Sequence, residues 1–439
     1  MTHILQRHCH SVLPTVTGGD GVFLFDNKGH HYLDGCGGAA VSCLGHSHTG
    51  VLSAIEAQLR TIPYAHTGFF TSPVAEALAA RLADKAPGLL NHVYLVSGGS
   101  EAVEAALKMA RQYFLEKGET TRTRFIARRQ SYHGNTLGAL GVGGNMWRKE
   151  PFSPLMQNGE LIAPCYAYRD KRDNETHFEY GQRVANELEE RLLAVGPETV
   201  IAFVAEPVVG ATAGALVAEE GYFKRIREIC DKYGILLILD EVMCGCGRTG
   251  TYFAYEQEGI VPDLVTMAKG LAAGYQPIGA VMIHDKIYDA IFHGTGYFQH
   301  GHTFMAHPLA CAAACATLDA LESGVLSEVA DKGEYLINQL NQTFGDHPFV
   351  GDIRGRGLFI GMEFVENKPG KTPFDPSRPL HAEVKKTAMA NGLMCYPMGG
   401  TIDGKRGHHV LLAPPFIIKE KEMDELVKRL AITLDHVFR

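Results

Sequence analysis

The stretch GILLILDEV, residues 234–242, is an apolar run that ends on two adjacent carboxylates, Asp240 and Glu241. A short, unbroken run of Leu and Ile is typical of a strand that is buried on both faces, as in a parallel sheet. A buried acid is costly unless another group pairs with it. The stretch therefore predicts an α/β fold in which another part of the molecule, or a ligand, supplies a partner for Asp240.

The pattern of this stretch repeats along the middle of the chain. From about residue 93, short apolar segments alternate with helical segments or long loops, which predicts a mostly parallel central sheet with helices on both faces. In open α/β sheets, ligands bind beyond the carboxyl ends of the strands, where Asp240 is expected. The predicted strands are VYLVS, TRFIA, VIAFVAE, ILLILD, LVTMA and AVMI.

The two ends of the chain differ from this middle region. Residues 22–34, VFLFDNKGHHYLD, predict a hairpin of two short strands. The segment after residue 320 reads as a helix, strands and a final amphipathic helix. We therefore expect an N-terminal segment (residues 1–60) that joins a small α+β domain, a large domain (residues 61–319), and the C-terminal part of the small domain (residues 320–439).

Composition excludes several classes of function. The 439 residues carry a formal net charge of −8, which argues against nucleic acid as a partner. The first residues lack the apolar core of a signal peptide, and the unbroken apolar runs are short for a membrane span, so we expect a cytoplasmic protein without a membrane partner. The ten cysteines lie at scattered spacings without a paired zinc motif, and we expect neither disulfides nor a metal site.

Two further segments place reactive groups beside the strand of Asp240. SGGSEAVEAALKMARQYF, from Ser97, puts small residues at a strand-to-helix turn, where free N–H groups can bind a phosphate. MAKGLAAG puts Lys269 just after a strand, where a dry pocket would lower its pKa and let it form a Schiff base. With a carboxylate that keeps a pyridine nitrogen protonated, these groups meet the requirements of pyridoxal phosphate (PLP). Glu241 must then point away from Asp240, since successive strand side chains alternate.

The motifs that carry these residues resemble those of the class III aminotransferases, which are PLP enzymes of fold type I, over nearly the whole chain. The resemblance implies a ping-pong aminotransferase that moves an amino group from an amine or amino acid to a keto acid through a Schiff base on Lys269. The matching stretches are SGGSEAVEAALKMAR, SYHGNTLGAL, AEPVVG, LLILDEV, GRTG, AKGLAAG, HGHTF and LLAPPFII.

The same resemblance implies roles for individual residues. Thr303 is expected to reach the phosphate of the neighbouring subunit's cofactor, so the active unit is expected to be a homodimer with a shared active site. His133 receives no definite role. The other expected cofactor residues are Gly99 and Ser100 at the phosphate, Val242 and Tyr132 on the two faces of the ring, Glu206 near the substrate and cofactor, Asp240 at the pyridine nitrogen, and Lys269 at the aldehyde.

Departures from the family pattern bear on the substrate. The branch that acts on 4-aminobutyrate or ornithine has a Gln after the Asp-Glu-Val triplet and an Arg in the strand VLLAP, whereas this chain has Met243 and no Arg there. Arg406, in the loop GGTIDGKRGHH, matches the loop arginine of the omega-amine:pyruvate branch and is our candidate for the substrate carboxylate. Ala40 stands where that branch has a Trp, which predicts a roomier amine pocket faced by Phe69 and Phe70.

Several alternatives stay open at this stage. Arg354 and Arg356 are other candidates for the carboxylate, unless they serve domain packing. A PLP-dependent racemase or decarboxylase on the same scaffold is the alternative activity. A nicotinamide-dependent dehydrogenase would need a G-x-G-x-x-G turn that opens a helix, with an acid on the next strand, and the sequence shows no such arrangement. An inactive scaffold would be expected to have lost Lys269 or Asp240. Pyruvate and 2-oxoglutarate are both possible acceptors.

Overall fold

The structure is a computed structural model that describes residues 3–439. Its strands form a seven-stranded sheet, two four-stranded sheets and a two-stranded ribbon. The strands are β1 (Val16–Asp20), β2 (Phe23–Asp26), β3 (His31–Asp34), β4 (His92–Val96), β5 (Arg124–Arg128), β6 (Glu160–Ile162), β7 (Val200–Ala205), β8 (Val208–Val209), β9 (Leu216–Val217), β10 (Leu236–Asp240), β11 (Leu264–Met267), β12 (Gly279–Ile283), β13 (Val350–Arg356), β14 (Phe359–Phe364), β15 (Leu393–Met394), β16 (Tyr396–Gly399) and β17 (His408–Leu412).

Helices connect these strands and cover the large sheet. They are α1 (Gly37–Ala40), α2 (Thr49–Thr61), α3 (Pro73–Lys85), α4 (Gly99–Glu116), α5 (Leu137–Val142), α6 (Met146–Lys149), α7 (Ala167–Asp170), α8 (His177–Val195), α9 (Tyr222–Tyr233), α10 (Asp285–His293), α11 (Pro308–Ala320), α12 (Val329–Phe344), α13 (Leu380–Ala390) and α14 (Glu420–Val437).

The seven-stranded sheet has the order β4-β12-β11-β10-β7-β5-β6, so the strand of the GILLILD run lies at its centre. β10 pairs in parallel with β11 and β7, and β5 is parallel to β7 and β6. All six predicted strands are present, and the predicted α/β class with a mostly parallel sheet is confirmed. β12 differs, because it runs antiparallel to both of its neighbours. β6 was not predicted, since three residues carry no measurable periodicity.

Alternate residues of β10 face two different cores. Leu236 and Ile238 belong to the cluster that packs against α4, whereas Leu237 and Leu239 belong to the larger cluster that includes residues of α8, α9 and α11. Every residue of β10 is buried. The sheet is therefore covered on both faces by helices, which leaves the loops at its carboxyl edge to build a site.

The two ends of the chain meet in smaller sheets. β2 and β3 form the predicted antiparallel hairpin, and β3 pairs in parallel with β15 from the C-terminal part. The sheet β13-β14-β17-β16 is antiparallel throughout. β17 ends at Leu412, before the end of the predicted strand HVLLAPPFII, because Pro414 and Pro415 have no N–H to donate. The N-terminal segment thus joins the C-terminal part by a strand pair, while the domain boundaries at residues 61 and 320 stay predictions.

One helical run is long and apolar. Residues Pro308–Phe344 include a window with a mean hydropathy of 1.5, enough by length and composition to cross a membrane. However, 56% of that window is buried inside the protein, and α11 contributes to the main core. Core helices pass the same test, so the run is weak evidence for a membrane segment. The sequence reasoning missed it because it considered only unbroken apolar runs.

Candidate active site

A cavity of about 490 Å³ opens beside the carboxyl end of β10. Its walls come from the segments that follow β4, β5, β7, β10 and β11. A larger cavity, of about 1160 Å³, lies beside α4 and residues 295–299 and contains none of the predicted site residues. The smaller cavity is therefore the candidate site. It brings together seven predicted residues: Gly99, Ser100, Tyr132, Glu206, Asp240, Val242 and Lys269.

Asp240 lies at the centre of a hydrogen-bond network and is only 4% exposed. One carboxylate oxygen, Oδ2, is 2.8 Å from Nδ1 of His133, and the other accepts from the Thr266 hydroxyl (3.2 Å) and the Val242 N–H (3.0 Å). A carboxylate accepts about four hydrogen bonds, so room is left for one more donor. The buried Nε2 of His133 has no hydrogen-bond partner in the described part of the chain. His133 thus has a definite place that the sequence did not assign.

Glu241 points away from the cavity, as the alternation of a strand predicts. Its two carboxylate oxygens accept the backbone N–H groups of Ala254 and Tyr255, each at 2.7 Å. Burial raises the pKa of Glu241 to about 8, against the opposing effect of these two donors. The second acid of the opening stretch therefore holds the loop behind the site.

Lys269 follows β11 and faces the cavity. Its backbone lies in the left-handed region, at φ 47°, a strained conformation that clusters at functional sites. Burial lowers the pKa of the Lys269 amine, although the charges of Asp240 and Glu206 oppose the shift. Within residues 3–439, the amine has no hydrogen-bond or ion-pair partner. It is therefore available for a ligand.

The start of α4 forms the predicted phosphate site. No side chain caps this helix N-terminus, so its first N–H groups are free to bind an anion. A Cβ atom on Gly99 would lie 2.8 Å from Cγ1 of Val242, so glycine lets the helix start approach the cavity wall. The Ser100 hydroxyl donates to Oδ1 of Asn135 (2.9 Å) and accepts the Asn135 N–H (3.0 Å).

Tyr132, Val242 and Glu206 line the remaining walls. Glu206 is buried and accepts the N–H groups of Tyr132 (3.0 Å) and Gly210 (2.9 Å), so it fixes the loop that carries Tyr132. Burial raises the pKa of the Glu206 carboxyl. β10 ends at Asp240, so Val242 lies in the turn that follows the strand, where it lines the cavity.

Four predicted site residues lie outside this cavity. Phe69 and Phe70 are 82% and 69% exposed. Thr303 is exposed, and its carbonyl accepts the Tyr64 hydroxyl at 2.9 Å. Arg406 is exposed and pairs with Asp403 at 2.7 Å. Their roles at the site stay predictions, and for Arg406 the structure gives a local partner instead of a place in the cavity.

The structure also decides the expectations for Ala40 and for the alternative arginines. Val41, and not Ala40, lines the cavity, because Ala40 is buried against other parts of the protein. Arg354 pairs with Asp352 and Glu363, and Arg356 pairs with Glu258. Both arginines are therefore committed to packing and are not available for a substrate carboxylate.

Sequence reasoning also missed parts of the wall. Met243 was discussed only as a departure from a family pattern, yet it lines the cavity together with Gln276 and Pro277. The segment GYQPIG between Lys269 and β12 carries the last two, and its Gly and Pro mark a loop at the carboxyl edge of the sheet. Thr266, which lies on β11 three residues before Lys269, has no such marker in the sequence.

The described residues contain no group of three or more His, Cys, Asp or Glu side chains that could hold a metal ion. All ten cysteines are free. The polar groups at the cavity instead fit PLP. The uncapped start of α4 suits its phosphate, the buried Asp240 suits a pyridine N–H, and the unpartnered amine of Lys269 suits its aldehyde. When bound, PLP supplies an electron sink for chemistry at the carbon that carries the amino group.

Known proteins match this chain over nearly its whole length. An uncharacterized aminotransferase of Schizosaccharomyces pombe is 45% identical, over 96% of this chain and 92% of its own. A putrescine–pyruvate aminotransferase of Pseudomonas aeruginosa is 35% identical (94% and 88%), and a diaminobutyrate–2-oxoglutarate transaminase of Halomonas elongata is 34% identical (98% and 92%). Among solved structures, the omega transaminase of Pseudomonas jessenii in complex with PMP superimposes with a TM-score of 0.92 at 31% identity, covering 99% of this chain and 96% of its own.

The fold and the site define a PLP-dependent transferase of fold type I. The profile of the family "Aminotransferase class-III" matches residues 4–434, and the chain belongs to this family. It is a PLP-dependent aminotransferase, and the alternative of a racemase or decarboxylase is not favoured.

Proposed function

We propose that this aminotransferase takes its amino group from amines that carry no carboxylate, and that pyruvate is its preferred keto acid. The observation that carries the proposal is the composition of the cavity wall. Among the described residues that line it, Lys269 is the sole Lys or Arg, and Met243 and Val41 add apolar surface. Such a wall suits a donor without a carboxylate better than a donor with one.

The names of the relatives support the proposed amine donor more strongly than the proposed keto acid acceptor. The Pseudomonas aeruginosa relative is named for putrescine and pyruvate, and the solved neighbour is named an omega transaminase. The Halomonas elongata relative is named for 2-oxoglutarate, so that acceptor has to be tested beside pyruvate.

The residues of the site divide the work of the reaction. Burial lowers the pKa of the Lys269 amine, which favours the neutral form that would take the proton from the substrate carbon and return it. Asp240, which His133 and Thr266 hold in place, would accept a hydrogen bond from the pyridine nitrogen. Tyr132 and Val242 both line the cavity, where they would pack against the cofactor ring and exclude water.

The assembly and the location also belong to the proposal. A homodimer is supported by exposed apolar side chains beside the predicted shared loop, such as Phe69, Phe70, Tyr297 and Phe304, which a partner subunit would cover. A reducing compartment such as the cytoplasm is supported by the ten free cysteines.

A panel of donors assayed against both keto acids tests the proposal. We expect turnover with 1,4-diaminobutane or 1-phenylethylamine and pyruvate, and a lower kcat/KM with 4-aminobutyrate or 2-oxoglutarate. The variant Lys269→Ala, loaded with the cofactor, sets the background rate, since it lacks the amine that moves the proton. A higher kcat/KM for 4-aminobutyrate with 2-oxoglutarate would contradict the proposed substrate class.

A further inference from the structure

The proposed function leaves one requirement without a residue. A keto acid carries a carboxylate, which needs a cation in a partly dry site. The expected partner, Arg406, is 57% exposed and bonded through Nε to Asp403, whose carboxylate also accepts the Arg406 N–H. The other cation in its loop, Lys405, is exposed and lies 3.6 Å from Glu150. Neither side chain lines the cavity.

A different arginine, Arg148, does not line the cavity itself but stacks on Tyr132, which does. The guanidinium carbon of Arg148, on α6, is 4.6 Å from the centre of the Tyr132 ring. Arg148 is half-buried, and its Nε atom is fully buried without a hydrogen-bond partner. Within residues 3–439, its guanidinium has no ion pair, whereas Arg354, Arg356 and Arg406 each have one.

The charge of Arg148 acts on the reactive groups of the site. It opposes the rise that burial causes in the pKa of the Tyr132 phenol, and it adds to the fall in the pKa of the Lys269 amine. Arg7, from the N-terminal segment, adds a second and exposed cation near the phenol. Of these two arginines, Arg148 is the one that is half-buried and stacked on the Tyr132 ring.

Contacts on both sides hold α6 in place. The Asn145 side chain accepts the Arg148 N–H at 3.3 Å, and the buried amine of Lys149 donates to the carbonyls of Gly141 (2.8 Å) and Gly143 (2.9 Å). A Cβ atom on Gly404 would lie 3.4 Å from the backbone nitrogen of Trp147. The loop that carries Gly404 and Arg406 therefore packs over α6. The guanidinium is thus presented by a fixed backbone.

We propose that Arg148 binds the carboxylate of the keto acid, while its face stays stacked on Tyr132. An arginine can use its planar face on an aromatic ring and its edge N–H groups on a carboxylate at the same time. The inference rests on the proposed function, because it assigns the acceptor side of that reaction. A carboxylate-free donor makes no use of this contact.

The test separates the two half-reactions of the cofactor-loaded enzyme by following the absorbance of the bound cofactor. Arg148→Met keeps a flexible, unbranched side chain that can still pack on Tyr132, and it removes the positive charge and the guanidinium N–H donors. We expect it to raise the half-saturating pyruvate concentration roughly 10- to 100-fold, the usual effect of losing a charged hydrogen-bonded pair. The half-reaction with 1-phenylethylamine should change by less than about twofold, since no carboxylate is involved.

Matched variants make the assignment specific. Arg148→Lys should recover part of the pyruvate affinity, because it restores the positive charge without the paired N–H donors of the guanidinium. Arg406→Met and Arg7→Met should leave the pyruvate dependence near that of the wild type. A larger effect in Arg406→Met than in Arg148→Met would overturn the proposal, and an equal loss in both half-reactions would reduce Arg148 to a positioning residue for Tyr132.

A binding measurement that needs no turnover completes the test. Propionate has the carboxylate of pyruvate but no ketone, so it should raise the thermal midpoint of the loaded wild type and leave that of Arg148→Met unchanged. Equal stabilisation of both proteins would overturn the inference. If the donor panel fails while propionate still discriminates the two proteins, the proposed donor class is wrong and the carboxylate site stands.

Discussion

Asp240 has protein partners before any ligand binds. The Thr266 hydroxyl and the Val242 N–H donate to Oδ1, and His133 contacts Oδ2. These contacts orient the carboxylate without filling its capacity, so one further donor can bind along a defined direction. The apolar run that ends on this acid is thus explained by its position at the cavity, and the histidine contributes as much to it as the strand does.

Asp240→Asn should retain the cofactor and lose most of its activity. A neutral amide cannot hold a proton on the pyridine nitrogen, and removing one such electrostatic contact typically costs about 100-fold or more in rate. Single-turnover absorbance with a reactive amine measures the rate, and the spectrum of the dialysed protein measures the cofactor content. Thr266→Val, which removes one outer contact to the same carboxylate, is the control and should lose much less. Near-normal rates in Asp240→Asn would mean that this carboxylate does not serve the ring nitrogen.

Glu241 predicts a pH dependence of stability. Burial raises its pKa in the folded protein to about 8, whereas the unfolded chain ionises near the ordinary value of 4.5. The contribution of the protonated form is therefore fully present below about pH 4.5 and is lost as the pH rises through about 8.

Glu241→Gln should remove this dependence, because the amide does not ionise. We expect the thermal midpoint of the wild type minus that of Glu241→Gln to fall as the pH rises from 5 to 9. The substitution also alters the hydrogen bonds from the Ala254 and Tyr255 N–H groups. The difference between the two thermal midpoints at pH 5, where Glu241 is protonated, measures that effect alone. A difference that is constant over this range would show that the carboxylate titrates near its ordinary value in the folded protein.

Residue types and spacings predicted the reactive groups but not their partners. Lys269 and Asp240 could be found because each follows an apolar strand. The contact of His133 with Asp240 joins residues 107 positions apart, and only the folded loop brings them together. Arg148 lies in a short helix whose placement against Tyr132 has no periodic signal. Arg406 was predicted from its match to a loop arginine of a family branch, and the residue types of the loop do not reveal that its side chain is exposed and paired with Asp403.

At the scale of elements, the start of α4 depends on how closely it approaches the turn after β10. A Cβ atom at position 99 would lie 2.8 Å from Val242, whereas one at position 98 would meet nothing within 4 Å. Gly98 is also extended, at φ −179°, a conformation open to any residue. Position 98 therefore has room for a larger residue, whereas position 99 does not.

Gly99→Ala should weaken cofactor binding by about tenfold. The added methyl group would push the start of α4, which binds the phosphate, away from Val242, which lies beside the ring. Gly98→Ala should change the affinity much less and is the matched control. Equilibrium dialysis of the cofactor against both apo proteins measures the effect, with circular dichroism to check the fold. Equal affinities of the two variants would show that the close approach to Val242 does not set the geometry of the site.

The strands of the large sheet could be predicted because β10 and its neighbours are short, apolar and buried. The directions of these strands could not be predicted. β12 follows β11 through a short segment and returns antiparallel, although its apolar residues resemble those of a parallel strand. The end of β17 at Leu412 depends on two prolines that follow its apolar run. Apolar pattern thus determines where strands form, and turn chemistry determines where they stop.

At the scale of the whole molecule, part of the predicted site lies outside the cavity of a single chain. Thr303 is exposed and Phe69 and Phe70 lie on the surface. A sequence reveals such residues only through a family resemblance, since no periodicity marks contacts between subunits. If these side chains complete the site of a partner, cofactor binding and association are linked, and each must strengthen the other.

Thr303→Val tests this linkage. The substitution keeps the shape of the side chain and removes the hydroxyl expected at the partner's phosphate, so we expect the cofactor dissociation constant to rise roughly tenfold. Analytical ultracentrifugation of the apo and loaded forms should show that the cofactor tightens the wild-type dimer and tightens the variant dimer less. Thr343→Val, the same change on an exposed threonine of α12, is the control and should alter neither quantity. A loaded wild type that stays monomeric at micromolar concentration is incompatible with a shared site, and Thr303 would then have no phosphate to reach.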